Sequence, residues 1–282
     1  KILMKNTKQN KMETRIAVAV AGASGKMGRM LIKAVDENPM VYLSSATCHP
    51  SEKDIEGKDA GLVAGIESLD VSISSNPKSL LNSEVIIDFT SPEATINHAE
   101  IASKNNIAHV IGTTGLSEKD EKLLSELSIL TQIFYSANMS LGVNLLLELI
   151  NNSVSKLGND WDIEILEMHH KQKIDAPSGT ALSLGKEIAK SLNKNFNDIA
   201  VYSREGRIGP RKDGEIGFAV LRGGSVVGDH TVILSNGDER IELCHKAGNR
   251  SIFANGAIKA AIWIVKQKPG LYSMKNIFKK NS

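Results

Sequence analysis

The chain has 282 residues, 41% hydrophobic and 23% charged, which allows one large or two ordinary domains with packed cores. Its net charge of +2, from 34 basic and 32 acidic residues, contains no domain-wide basic excess and argues against nucleic acid as a partner. Two cysteines, Cys48 and Cys244, point to a reducing compartment. No run reaches the roughly 18 apolar residues of a membrane span, and neither C-x-x-C nor H-E-x-x-H spacing offers a zinc site.

The opening "KILMKNTKQNKMETR" is polar and basic and lacks the apolar stretch of a secretory signal. Residues 1–14 read as a loose tail, the missing initiating Met suggests a trimmed or engineered start, and the expected location is the cytoplasm. "RIAVAVAG" (15–22) is a continuous apolar run, hence a buried strand. In the following "ASGKMGRMLIKAVDEN", Met27, Met30, Leu31, Ala34 and Val35 recur at helical spacing until Pro39. A second strand fits "VYLSSATC" (41–48), and 51–70 reads as loop. "EVIIDFT" (84–90), "IAHVIGTTG" (107–115) and "QIFYSANMS" (132–140) are further strands. Helices between them start at Ser91-Pro92 and at the capping-box-like Ser117-x-x-Asp120. This alternation predicts an α/β unit with a parallel sheet covered on both faces.

After residue 140 the pattern changes. A helical "LGVNLLLELINNSVSKLG" leads to the strand "WDIEILEMHH". From 215, three strands with turns at Gly223-Gly224 and Asn236-Gly237 suggest an antiparallel sheet. The last "SIFANGAIKAAIWIVKQK" is helical and is expected to pack back on the first domain.

Two stretches carry chemistry. "GASGKMG" (22–28) lies between the first strand and helix, where a dinucleotide-binding fold turns tightly and aims backbone amides at a pyrophosphate. Gly22 allows the turn, Gly25 the close approach of phosphate, and Gly28 close helix–strand packing; Ala23, Ser24, Lys26 and Met27 complete the loop. Ser24 stands where the commoner G-x-G-x-x-G has a glycine, and glycines alone would also serve a turn without a ligand. The acid that contacts ribose hydroxyls at the end of the second strand is missing: the sequence there is Cys48-His49. NADH, NADPH or both therefore stay open. Gly112, Thr113, Thr114 and Gly115, and Ser136, Ala137, Asn138 and Met139, fall at C-terminal strand ends, the edge where open α/β sheets bind ligands. As plain tight turns they are equally well explained.

The second stretch is "EMHHKQKIDAPSGTAL" (167–182). His169 and His170 point to opposite faces of an extended strand, so one pocket needs a bend. His169, Lys171 and Lys173 would share a side, and a turn before Pro177 would bring Lys173 beside either histidine. Ser178, Gly179 and Thr180 open a helix with Pro177 near its first turn. Free amides at Gly179 and Thr180, the helix dipole and Lys173 suit an anionic, carboxylate-bearing small molecule, with an imidazole to move a proton. Taken alone, paired histidines flanked by lysines are more often a solvated surface. Asp175 reads as structural. No metal is expected, because adjacent histidines rarely reach one ion and the lysines would repel it.

Together, "VAGASGKMGR", "IDFTSPEAT", "VIGTTG", "NMSLGVN", "IEILEMHHKQKIDAPSGTA", "YSREGRIGPR", "IGFAVLRGG", "VVGDHTV" and "FANGAIKAA" resemble the dihydrodipicolinate reductase (4-hydroxy-tetrahydrodipicolinate reductase) family, enzymes of the diaminopimelate–lysine pathway. The likeness runs from residue 15 to residue 275, and the "HH…K.DAPSGTA" run is its specific part. The resemblance implies hydride transfer from NADH or NADPH to a cyclic unsaturated imine dicarboxylate. His169 would be the acid/base residue, and Lys173 the proton donor that also holds a carboxylate. His170, Gly179, Thr180 and, on the returning segment, Arg250 would contact substrate. Gly22 to Met27, Cys48-His49, Gly112 to Thr114 and Ser136 to Met139 would line the cofactor. It further implies a Rossmann-like dinucleotide-binding domain of 15–139 with 249–282. Residues 140–248 would form an α+β substrate and oligomerisation domain with a mixed or antiparallel sheet, building a homotetramer. Cys48-His49 departs from the family's usual acid and arginine. The rivals are another two-domain nicotinamide dehydrogenase acting on an amino or keto acid, and a non-catalytic NAD(P)-binding sensor.

Overall fold

The computed structural model describes residues 15–278; the tail expected over 1–14 lies outside them. β1 (Ile16–Ala21) buries five of its six residues, as a strand covered on both faces must. Gly22 follows at φ +74°, a conformation that favours glycine, and the Gly25 N–H closes the turn by donating to its carbonyl at 3.1 Å. α1 (Lys26–Glu37) starts so close that a Cβ on Gly28 would stand 2.0 Å from the Gly22 oxygen. Leu31, Ile32, Ala34 and Val35 form its buried face, and it ends at Asn38, ahead of Pro39.

The alternation continues through β2 (Val41–Thr47), a short α2 (Ala60–Ala64), β3 (Ile73–Ser74), a 3-10 turn (Pro77–Asn82), β4 (Val85–Asp88), α3 (Pro92–Lys104), β5 (Ala108–Ile111), α4 (Glu118–Leu127) and β6 (Gln132–Tyr135). Ser91 caps α3, and Ser117 with Asp120 forms the capping box of α4, both as the sequence indicates. Residues 51–70, expected as loop, are instead organised around Asp59. Its carboxylate accepts from the N–H groups of Leu62, Leu69 and Val71 and caps α2. A helix of five residues is too short to leave a periodic signature.

A second series follows: α5 (Leu141–Leu157), β7 (Asp162–His169), α6 (Gly179–Ser191), the single turn α7 (Phe196–Ile199), β8 (Ala200–Val201), β9 (Ile216–Arg222), β10 (Asp229–Asn236) and β11 (Glu239–Lys246). Its sheet has the order β11-β10-β7-β9-β8. β7 is parallel to β9 and antiparallel to β10, so of the mixed and antiparallel sheets expected, the structure has the mixed one. Asn236-Gly237 does turn the β10–β11 hairpin, with Gly237 at φ +41°. Gly223-Gly224 does not join neighbouring strands, because β7 lies between β9 and β10. Residues 223–226 instead cross the end of β7, through Gly223 N–H to His169 O (2.9 Å), Lys171 N–H to Gly224 O (3.3 Å) and His170 N–H to Val226 O (2.7 Å). Strand order in the sequence carries no trace of an earlier strand inserted between two later ones. On one face of the sheet, Ile163, Ile165, Ile216, Phe218, Val232 and Leu234 pack with Leu146, Ile150 and Val154 of α5 and Leu184 and Ile188 of α6.

Finally α8 (Ser251–Ile264), β12 (Gly270–Tyr272) and α9 (Met274–Phe278) complete the first unit. The described residues through Met139 belong with those from Ser251 onward, and Ser140–Arg250 form the second unit. The first sheet is seven-stranded and parallel, in the order β12-β6-β5-β4-β1-β2-β3. Its strand order reverses between β1 and β4, the topological switch point at which folds of this kind bind dinucleotides.

The Gly28 contact generates a prediction. Gly28→Ala must displace the Gly22 carbonyl, and we expect a loss of about 1–3 kcal/mol in unfolding free energy, read as a lower unfolding midpoint. An unchanged midpoint would show that the loop relaxes freely.

Candidate active site

At the carboxyl edge of the first sheet, α1 presents an uncapped end: Gly25 offers no side-chain hydrogen bond, and no acidic residue lies in the first turn. By contrast, α3, α4, α5 and α6 are capped by the side chains of Ser91, Ser117, Ser140 and Ser178. With Gly22 and Gly28 leaving no space for side chains, the turn gives a bare rim of amides and a positive helix end, which fits a dinucleotide pyrophosphate. Ala23 is buried, and its N–H donates to Thr47 O at 2.7 Å, locking the loop to β2. Lys26 is exposed and Met27 half-buried on the first turn of the helix.

Asp88, fully buried at the end of β4, organises the neighbouring loops. It accepts from the Thr90 N–H (3.0 Å) and hydroxyl (2.6 Å) and pairs with His98 Nδ1 (2.7 Å). Burial pushes its carboxyl up, but His109 and His98 outweigh that and hold it well below the usual carboxylate range. The Thr90 methyl so fixed lies 2.8 Å from where a Gly22 Cβ would be. Thr113 is buried and bonds Thr95 at 2.7 Å, while Thr114 and Gly115 are exposed. A Cβ on Gly112 would run into Phe89 at 2.2 Å. Ser136 donates its N–H to Ile111 O at 3.1 Å and its hydroxyl to Asn138 O at 2.8 Å; Ala137 is exposed and Met139 buried. Thus the three predicted loops, 22–28, 112–115 and 136–139, all end strands of one parallel sheet. Cys48 is buried just past β2, and His49 is exposed.

In the second unit, the inward face of β7 runs Ile163, Ile165, Glu167, His169: two core residues, then two polar ones. His169 Nδ1 bonds Glu167 Oε2 at 2.6 Å. Arg222 grips both Glu167 oxygens at 2.8 and 3.0 Å, and the Ser178 N–H donates to Oε1 at 2.9 Å. Burial pushes the Glu167 carboxyl up, but Arg222, His169 and the Ser178 amide together hold it below its ordinary value. With Nδ1 engaged, the imidazole has Nε2 on its other side. That nitrogen is 2.9 Å from where a Gly228 Cβ would stand, so the missing side chain leaves it room. His230 packs edge-on to His169, with ring centroids 5.1 Å apart, and its Nε2 lies 3.0 Å from Ser178 Oγ. Burial first, then the neighbouring His169, lowers His230 to about 4.

Past His169 the strand ends and the chain turns, with Lys173 N–H donating to His170 O at 3.1 Å. The extended segment in which His169, Lys171 and Lys173 would share a side is therefore absent, and Lys171 is exposed. That turn sets the Lys173 backbone beside His170, while its ammonium pairs with Asp175 at 2.8 Å. Arg222 also donates to the Asp175 carbonyl at 2.7 Å, which keeps Asp175 structural. His170 Nε2 meets Arg250 Nη2 at 3.4 Å, joining two predicted substrate contacts 80 positions apart within the second unit. Ser178 is the N-cap and Gly179 the first helical residue, with Pro177 immediately before the cap, near the first turn as expected. Gly179 is exposed with open space beside it, and Thr180 is half-buried.

Reading the sequence missed Glu167, Arg222, His230 and Thr90. For Glu167 a signal existed, since it precedes His169 by two residues on an alternating strand and must share its face. Arg222 and His230 come from strands whose pairing the sequence does not state. Among the described residues, no group of three or more His, Cys, Asp or Glu could hold a metal ion, and no helix is long and apolar enough to cross a membrane.

A family model described as dihydrodipicolinate reductase, N-terminus, matches residues 16–139, and one described as dihydrodipicolinate reductase, C-terminus, matches residues 142–278. A 4-hydroxy-tetrahydrodipicolinate reductase of Agrobacterium fabrum is 47% identical over 262 residues, covering 92% of this chain and 95% of the relative. One of Psychrobacter arcticus is 43% identical over 270 residues, covering 95% and 97%. Among solved structures, a dipicolinate-bound dihydrodipicolinate reductase from Paenisporosarcina sp. TG-14 superposes with a TM-score of 0.76 at 24% identity, covering 94% of this chain and 100% of that one. GenD2 from gentamicin A biosynthesis, in complex with NAD, superposes at 0.57 with 12% identity, covering 96% and 89%. These two are likenesses of fold.

The buried pair predicts an acid-labile fold. His230 is lowered from 6.5 to about 4, so the unfolded chain binds its proton first, and stability complete above pH 6.5 is lost as pH falls towards about 4. Glu167, also lowered, adds its loss below its ordinary value of 4.5. Unfolding midpoints followed across this range should fall, and His230→Gln should flatten the limb between 6.5 and 4. An identical slope in the variant would remove His230 from the explanation.

Proposed function

The chain belongs to the dihydrodipicolinate reductase family, and from that premise we propose that it reduces 4-hydroxy-tetrahydrodipicolinate to tetrahydrodipicolinate with NADH or NADPH and one proton, the 4-hydroxyl leaving as water. The observation that carries this reading is the pair of family models covering 16–139 and 142–278, so both halves of one enzyme are present in order. The rival readings have no comparable support. A dehydrogenase for another acid would not need the "HHKQKIDAPSGT" array, and a sensor would not need a buried carboxylate fastened to a histidine.

Bound NAD(P)H supplies the hydride; the chain's residues bind, orient and protonate. The glycine turn at 22–28 and the loops at 112–115 and 136–139 are the proposed cofactor contacts, with Cys48 and His49 beside the ribose. His169, oriented through Nδ1 by Glu167, acts as acid/base through Nε2. Lys173 holds a substrate carboxylate and forms with His169 the source of the single proton the reduction consumes, and Asp175 pairs with its ammonium. Gly179, Thr180, His170 and Arg250 complete the grip on a dicarboxylate, supported by the helix end and by the His170–Arg250 contact.

Two free cysteines support a reducing compartment, and we place the enzyme in the cytoplasm. Assembly as a homotetramer is part of the same proposal. Its support is the second sheet, whose edge strand β11 is largely exposed and whose outer side carries Leu221 at 48% exposure.

Loss of nicotinamide absorbance, with freshly generated 4-hydroxy-tetrahydrodipicolinate, tests the reading. Wild type should turn over with at least one of NADH and NADPH, and Lys173→Ala should lower kcat by about 10²–10⁴-fold. Folded wild-type protein that oxidises neither cofactor would refute the assignment.

A further inference from the structure

The residues ending β2, Cys48-His49, put no acid where this kind of fold contacts the adenosine ribose. The structure supplies one from further along the chain. Immediately after β2 the backbone turns, with Glu52 N–H donating to His49 O at 2.9 Å. This brings the half-buried Glu52 side chain back to the strand end. Its Oε2 accepts from the Ser24 hydroxyl of the glycine turn at 2.9 Å and from the His49 N–H at 3.0 Å. Oε1 has no hydrogen-bond partner among the described residues. A carboxylate thus bridges the two features that flank the ribose in a dinucleotide fold, the glycine turn and the end of the second strand, although 28 positions separate it from Ser24.

Several carboxylates gather here, with Lys53 next to Glu52 in the chain. Burial first, and then Glu52, Glu56 and Asp54, push the Cys48 thiol up. Glu56 is held by the Ser75 hydroxyl at 2.5 Å. From α1, Lys26 and Arg29 are the basic residues nearest the turn in sequence, and Arg29 Nε is committed to the Ser24 carbonyl at 2.9 Å. His49 Nδ1 lies against Ser51 Oγ at 2.7 Å.

We propose that Glu52 is the cofactor-discriminating residue of this chain and that it selects NADH. A carboxylate accepts hydrogen bonds and cannot donate them, so Oε1 suits a ribose hydroxyl. The 2′-phosphate of NADPH offers like charge and no complementary donor, and meets repulsion at the same place. This rests on the reductase reading and deepens it by naming the preferred cofactor and the residue responsible. The acid lies beyond the turn rather than at the strand end, so position in sequence alone does not reveal it.

Equilibrium binding of NADH and of NADPH to the full chain, by fluorescence of the reduced nicotinamide, gives a readout independent of turnover. Wild type should bind NADH more tightly. Glu52→Gln keeps an acceptor for Ser24 and the His49 amide but removes the charge, and should shift the Kd ratio towards NADPH by about tenfold or more. Glu52→Ala, which also loses the contact with Ser24, should shift the ratio in the same direction. A brace without discriminating role would weaken both nucleotides equally in the Ala variant and leave the Gln variant at the wild-type ratio. That result, or wild type binding NADPH more tightly, overturns the role of Glu52. Failure of wild type to bind either nucleotide would overturn both this proposal and the reductase reading beneath it.

Discussion

The second unit depends on one buried carboxylate. Glu167 sits on β7 at 1% exposure, in line with the isoleucines of the core, where an unpaired charge would be strongly destabilising. It is kept charged by partners from three directions: His169 on its own strand, Arg222 at the end of β9, and the amide of Ser178 at the start of α6. Satisfying one carboxylate therefore fixes the angle of an imidazole, the register of two parallel strands at their ends, and the first turn of a helix. Ser178 passes the constraint onward, since its hydroxyl caps α6 and reaches His230 on β10. All the hydrogen-bonding groups of Glu167 are thus engaged, which lets it lie beside the apolar core of the same sheet, while His230 Nδ1 is buried without a partner.

The first unit works on the same principle with different chemistry. Its buried carboxylate, Asp88 on β4, fastens Thr90 and His98 beside a turn whose glycines leave no room for side chains. In both sheets the proposed functional groups stand at the carboxyl ends of parallel strands. The peptide dipoles and the following helix starts favour anions there. One unit offers bare amides suited to a pyrophosphate. The other offers a lysine, an arginine and an imidazole suited to carboxylates and proton movement.

Much of this was readable from residue order. Local patterns gave the β–α alternation, the Ser91 and Ser117 caps and the glycine turn, because each is decided by neighbours within a few positions. The "HHKQKIDAPSGT" run marks the region where the Glu167, His169 and Arg222 cluster stands, for the same reason. What escaped was non-local. The insertion of β7 between β9 and β10 placed Arg222 beside Glu167 from 55 positions away. The Lys173–Asp175 pair forms because the chain turns directly after the strand. Glu52 reaches the glycine turn only through the fold of a segment that reads as loop.

The central claim is that Glu167 holds His169 ready for proton transfer. Steady-state kinetics of Glu167→Gln test it most directly, since Gln keeps the shape and an acceptor for the Ser178 amide while removing the charge that Arg222 and His169 share. On this account the variant stays folded, KM changes little and kcat falls on the order of 10²-fold or more. A folded variant with wild-type kcat would contradict it and reduce Glu167 to a structural ion pair.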